Sequence, residues 1–138
     1  PDFDRGVFSK EPPTEDPASE YRLLVPQDDA DGNETAGLRT PTVDVPLATY
    51  AGWNYRPEGS AEKALSGLVG SFLPFASTGA ERRAGGDSRP SIEERYRSRS
   101  DYVRRVAAAA HRLVEQRLLL EEDADRYVEL AVSEDAFD

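Results

Sequence analysis

Tyr50, Trp53, Asn54 and Tyr55 stand within six positions of one another in the run VPLATYAGWNYRPEG, residues 45–59, which holds the only tryptophan of the chain. Rings with an apolar face and a polar edge, set beside an amide, suit three uses. They pack the core of an irregular segment, which is the commonest fate of such residues. They line a ligand pocket. They anchor a protein interface, where Trp and Tyr are enriched. All three uses stay open, and these four residues are the candidate binding set.

Other chemistry is harder to assemble. An acyl-transfer nucleophile needs serine on a sharp strand-to-helix turn, in the pattern G-x-S-x-G. Ser66 precedes Gly67 and Ser71 follows Gly70, so neither is bracketed that way. His111 is the single histidine, which excludes a paired-histidine metal site. It lies off the apolar stripe of its helix, one turn before Glu115, and reads as a surface partner of that residue. No glycine is followed by lysine, so a phosphate-cradling loop is absent. The pairs Glu93–Glu94 and Glu121–Glu122 read as solvated faces. The stretch DDADGNE, residues 28–34, invites comparison with a calcium loop. With Gly32 at the sixth position, Gln27 falls first and Leu38 twelfth, where a bidentate glutamate is required. A turn is the expected structure there. The sequence therefore predicts no catalytic residue, no metal ligand and no cofactor.

The elements that must position these residues divide the chain. Residues 1–20 are acidic and proline-rich and read as an extended lead-in, with Phe3, Val7 and Phe8 as its apolar points. Residues 21–40 predict a hairpin, with strands Tyr21 to Pro26 and Thr35 to Arg39 around Asp-Gly and Gly-Asn dipeptides that tolerate positive φ. Residues 42–75 predict an aromatic strap that starts as a strand, Val43 to Val45, holds a short helix, Ala61 to Leu65, and is broken later by Gly67, Gly70 and Pro74. Residues 78–132 are helical. Thr78 with Glu81 and Ser91 with Glu94 are capping boxes. The first opens a helix Gly79 to Ala84, the second the run IEERY. Ser100 is the expected cap of a long helix from Asp101 to about Leu118. Tyr102, Val106, Ala109, Ala110, Leu113 and Val114 form one stripe along it at three- and four-residue steps. A last helix, from about Glu122 to Val132, pairs with it.

Composition bounds the partners. The 138 residues carry 27 acidic and 17 basic side chains, a net charge of −10. Such a surface repels phosphate backbones, so nucleic acid is not an expected partner. No run approaches the roughly 18 apolar residues of a membrane helix, so neither is a membrane, and a cytoplasmic protein is the default expectation. Only Lys10 and Lys63 are lysine; a life in concentrated salt and an arginine-favouring genome both account for that. Leu, Ile, Val and Phe total 28, close to the level at which charged chains stay disordered. A core this thin is expected to lean on a neighbour, through more of a longer chain, another subunit or self-association.

Three runs carry a resemblance: DADGNETAGLRTPTVDVPLATYAGWNYRP, GLVGSFLPFASTGAERRAGGDSRPSIEERY and YVRRVAAAAHRLVEQRLLLEEDADRYVELA. In this order, over residues 21 to 132, they resemble the C-terminal region of a group of bacterial α/β-hydrolase domain proteins. The resemblance implies that the nucleophile elbow, acid and histidine of the family lie upstream of residue 1, and that an upstream hydrolase body or another subunit is the partner. The expectation is an α+β chain: an N-terminal β-hairpin and irregular strap followed by a C-terminal helical pair, the C-terminal part of an α/β-hydrolase fold. Its role would be non-catalytic, completing the fold and walling the substrate cleft. The alternative is a stand-alone acidic interaction module.

Overall fold

In the computed structural model, residues 24, 26–55, 65–66 and 70–137 are described. The lead-in, most of the helix expected over Ala61 to Leu65 and most of the strand over Tyr21 to Pro26 lie outside these residues. The rest is a mixed α+β chain.

Among the described residues the predicted hairpin shows one antiparallel bridge, Asp28 to Glu34, closed by Asp29 N–H on the Asn33 carbonyl at 2.8 Å. Its second arm does not extend as a strand because Gly37 takes φ +81° and Arg39 turns inward, donating to the carbonyl of Val43 at 3.0 Å. The strand expected at Val43 to Val45 is instead a single helical turn, α1 (Pro41–Asp44), with Val45 as its C-cap. The reason lies two residues upstream: Pro41 sits in the first turn, where its fixed φ is pre-set for a helix and its missing N–H costs nothing.

The strap holds more order than its composition suggests. β1 (Ala48–Ala51) pairs antiparallel with β4 (Ser71–Pro74), and β2 (Asn54–Tyr55) pairs with β3 (Leu65–Ser66) nested inside it. Leu65, expected to end a helix, thus stands on a strand, where the ladder to Tyr55 takes its backbone. Gly70 permits the approach of β1 and β4, because a Cβ there would lie 2.6 Å from the Ala51 carbonyl oxygen.

The helical half follows its sequence signals closely. α2 (Gly79–Gly85) and α3 (Ile92–Arg95) open on complete capping boxes, and Gly86 ends α2 at φ +67°. α4 (Arg99–Glu115) begins two residues earlier than expected, because Ser98 rather than Ser100 accepts the Asp101 N–H. α5 (Glu121–Val132) returns along it, so that Arg99 at the start of α4 reaches the Val132 carbonyl at the end of α5. Tyr102, Val106, Ala109, Ala110 and Leu113 of the stripe are buried and Val114 is half-buried. His111 is exposed, as its position off the stripe requires. The core joins α4 to Val45, Phe75, Ile92, Tyr96 and Ala131. No helix among the described residues is long and apolar enough to cross a membrane.

Candidate functional site

The turn DADGNE is built around its first carboxylate. Asp29 Oδ1 accepts from the N–H groups of Asp31 and Asn33, both at 3.0 Å, while Oδ2 takes a guanidinium N–H of Arg39 at 3.0 Å. Gly32 adopts φ +77°, and a Cβ there would meet Thr49 Cγ2 at 2.9 Å. The turn therefore lies directly on β1. Asn33, fully buried, completes the contact: its Nδ2 donates to the Ala48 carbonyl at 3.1 Å and its Oδ1 accepts the Tyr50 N–H at 2.7 Å.

The remaining side chain of the turn reaches across the molecule. Both carboxylate oxygens of Asp31 accept from Arg95 on α3, through a 2.7 Å Nη1–Oδ2 bond and a second, shorter Nη2–Oδ1 bond. Arg95 stacks over the buried Phe75 ring with its guanidinium carbon 4.1 Å from the centroid. Arg89 lies 5.0 Å from the same ring. Arg89 donates to Thr49 Oγ1 at 2.7 Å and to the Leu73 carbonyl at 3.0 Å, and is held by both oxygens of Asp87. Thr49 in turn donates to the Asp31 carbonyl. Two guanidiniums, two carboxylates and one aromatic ring thus form a closed network, in which planar bidentate pairing and cation–π contact act together.

The electrostatics follow from these bonds. Arg89 holds the Asp87 carboxyl well down, at about 2. Next to the network, Glu94 is lowered to about 2 by the Ser91 N–H and by Arg82, which it accepts at 2.8 and 3.2 Å. Burial pushes the Tyr96 hydroxyl up to about 12, and that hydroxyl donates to the buried Pro46 carbonyl at 2.8 Å. Among the described residues every buried side-chain polar atom has a partner, and no group of His, Cys, Asp and Glu is arranged to hold a metal.

The aromatic candidates follow Thr49 along the chain. Tyr50 is half-buried on β1 and meets its cross-strand partner Phe72 with centroids 5.5 Å apart. Trp53 is half-buried, and its carbonyl accepts the Ser71 hydroxyl at 2.9 Å. Asn54 and Tyr55 form the β2 ladder opposite Ser66 and Leu65. Sequence reasoning missed the network itself. Asp31 read as a turn residue and Arg95 only as part of the capped run IEERY, and nothing local joins two residues 64 positions apart. The one available signal was the family resemblance: its first run holds Asp31 and Thr49, and its second holds Phe75, Arg89 and Arg95.

A family model described as an alpha/beta hydrolase domain matches residues 3–129, and the chain belongs to that family. Neither the curated proteins nor the solved structures gave a match.

Proposed function

We propose that this chain is a non-catalytic, fold-completing element of an α/β-hydrolase-family protein, packed against a hydrolase body upstream or in another subunit and forming one wall of its substrate cleft. The observation that carries this reading is the use made of the motif residues. Asp31, Thr49, Arg89 and Arg95 spend their polar atoms on one another and on backbone carbonyls around Phe75. A catalytic carboxylate or base must instead be free to meet substrate. Two further features agree. Ser71 gives its hydroxyl to the Trp53 carbonyl, and His111 lies exposed on α4. β4 leaves Phe72 63% and Leu73 53% exposed, a pair of large apolar side chains that a neighbouring body would cover.

The test is hydrolysis of p-nitrophenyl acetate by the chain. Release of nitrophenol at the buffer rate is expected. Saturable turnover that disappears in Ser71→Ala or His111→Ala would overturn the reading, because it would show a nucleophile and base within these residues.

A further inference from the structure

Asn33 closes one edge of the β1–β4 sheet. Its Oδ1 accepts the Tyr50 N–H and its Nδ2 donates to the Ala48 carbonyl, so the Tyr50 N–H points away from β4. In an antiparallel ladder, opposite residues share this sense: where one turns its N–H and C=O outward, so does the other. Phe72 stands opposite Tyr50, and its N–H and C=O therefore point outward from the far edge of β4. The Phe75 N–H bond to the Leu47 carbonyl sets the same alternation. The 5.5 Å between the Tyr50 and Phe72 ring centroids fits a pair of this kind, whose side chains come closest.

That far edge is open. Among the described residues β4 has no second strand beside it, and none of their side chains bonds the Phe72 backbone as Asn33 bonds Tyr50. Arg89 reaches only the carbonyls of Leu73 and Pro74, at 3.0 and 3.4 Å. Phe72 and Leu73 are both exposed. Sheet edges are commonly guarded by charged side chains, lysine above all. β4 reads Ser-Phe-Leu-Pro and carries no ionisable side chain in a chain of net charge −10.

The open groups call for extended backbone, and β4 is complementary to itself. We propose that β4 pairs antiparallel with β4 of a second copy of this chain, about a twofold axis at Phe72. With the axis there, Phe72 of each copy faces the other, and the two exchange both N–H···O=C bonds. Opposite side chains lie on one face, so the Tyr50–Phe72 pair continues into the same pair of the second copy as one row of four rings. Pro74 sets the register. Sliding the strands so that Phe72 meets Pro74 of the second copy leaves the Phe72 carbonyl without a donor, because proline has no N–H; with the axis at Phe72 the two prolines fall at opposite ends. No charge faces a like charge across the axis, and Arg89 nearby is held by Asp87. The pairing uses the edge of the sheet, so it stands whether or not a hydrolase body covers its faces, and the hydrolysis assay does not bear on it. Four residues a side make a contact well below that of a permanent dimer, so the association is weak and concentration-dependent.

The experiment is sedimentation equilibrium of the chain over a range of concentrations, joined to amide hydrogen exchange read by NMR. A monomer–dimer equilibrium is expected with a Kd on the order of 100 μM. It should tighten about tenfold between about 0.1 and about 1 M KCl, as salt screens the repulsion between two acidic chains. The Phe72 amide should exchange more slowly as concentration rises, while the Tyr50 amide, already held by Asn33, stays unchanged. Phe72→Lys should abolish the dimer. The exchange measurement on the parent chain decides the matter if that variant fails to fold. A monomer up to about 1 mM in both salts, a dimer that weakens with salt, a dimer in which Phe72 exchanges as in the monomer, or one that persists in folded Phe72→Lys would each overturn the proposal.

Discussion

Asn33 does with its side chain what a neighbouring strand does with its backbone. One amide gives a donor to Ala48 and an acceptor to Tyr50, so the edge of β1 is satisfied without a third strand, which buried backbone groups require. Glu94 shows the same economy at a helix start, accepting from the Ser91 N–H and hydroxyl as well as from Arg82. Its folded pKa of about 2 lies below the ordinary 4.5. A depressed carboxyl contributes stability above the unfolded pKa and loses it as pH falls through the folded one. Urea unfolding midpoints should therefore fall between about pH 4.5 and about pH 2, and Glu94→Gln should flatten that fall; an unchanged slope in the variant would remove Glu94 from the account. Arg117 is the one strained position among the described non-glycine residues, at φ +61° where α4 ends. The backbone there follows the usual helix stop, with Leu118 N–H on the Leu113 carbonyl at 2.9 Å. Glycine tolerates that conformation, and the left-handed penalty exceeds the entropy glycine loses. Arg117→Gly is expected to raise stability by about 0.5–1 kcal/mol in thermal unfolding. The capping boxes were legible in the sequence because both partners sit three residues apart. Asn33 was not, because its bonds span 15 and 17 residues and asparagine in a turn has a sufficient local explanation.

The helices carry their evidence within themselves, and the strands do not. The stripe of α4 repeats at the helical period and needs no knowledge of what it packs against, which is why its buried face agrees with the pattern. Leu113→Ala should cost about 2–4 kcal/mol through lost burial and the cavity left behind. His111→Ala, on the exposed side, should stay within about 0.5 kcal/mol. Chemical denaturation of both variants checks the order, and its reversal would mean that the other face is inside. β1 and β4 are four residues each and find one another across some twenty positions. Neither shows alternation, since Ala48 and Thr49 are both buried and three successive residues of β4 are exposed. The helical turn α1 misled for a related reason. Val43 and Val45 favour strands, but the preference of a β-branched pair is outweighed by Pro41 and by the Arg39 bond to the Val43 carbonyl.

Across the whole molecule, the motifs that carried the family resemblance converge on one place. Asp31 comes from the N-terminal turn, Thr49 and Phe75 from the two strands, and Arg89 and Arg95 from the approach to α3 and α3 itself. They tie the irregular half of the chain to the helical half, which a thin core does less firmly by itself. Paired charges at half-buried sites are poor stabilisers relative to apolar packing, yet breaking one side is expensive because its partner stays behind without compensation. The central claim is that this network holds the fold together, and a double-mutant cycle across Asp31 and Arg95 tests it most directly. Urea unfolding of Asp31→Ala, Arg95→Ala and the double variant is expected to show losses of about 2–4 kcal/mol for each single change, larger for Arg95 because it also leaves Phe75, and a coupling of about 1–3 kcal/mol. Single variants within about 0.5 kcal/mol of the parent, with no coupling between them, would contradict the account and return Asp31 and Arg95 to the pool of residues free for chemistry.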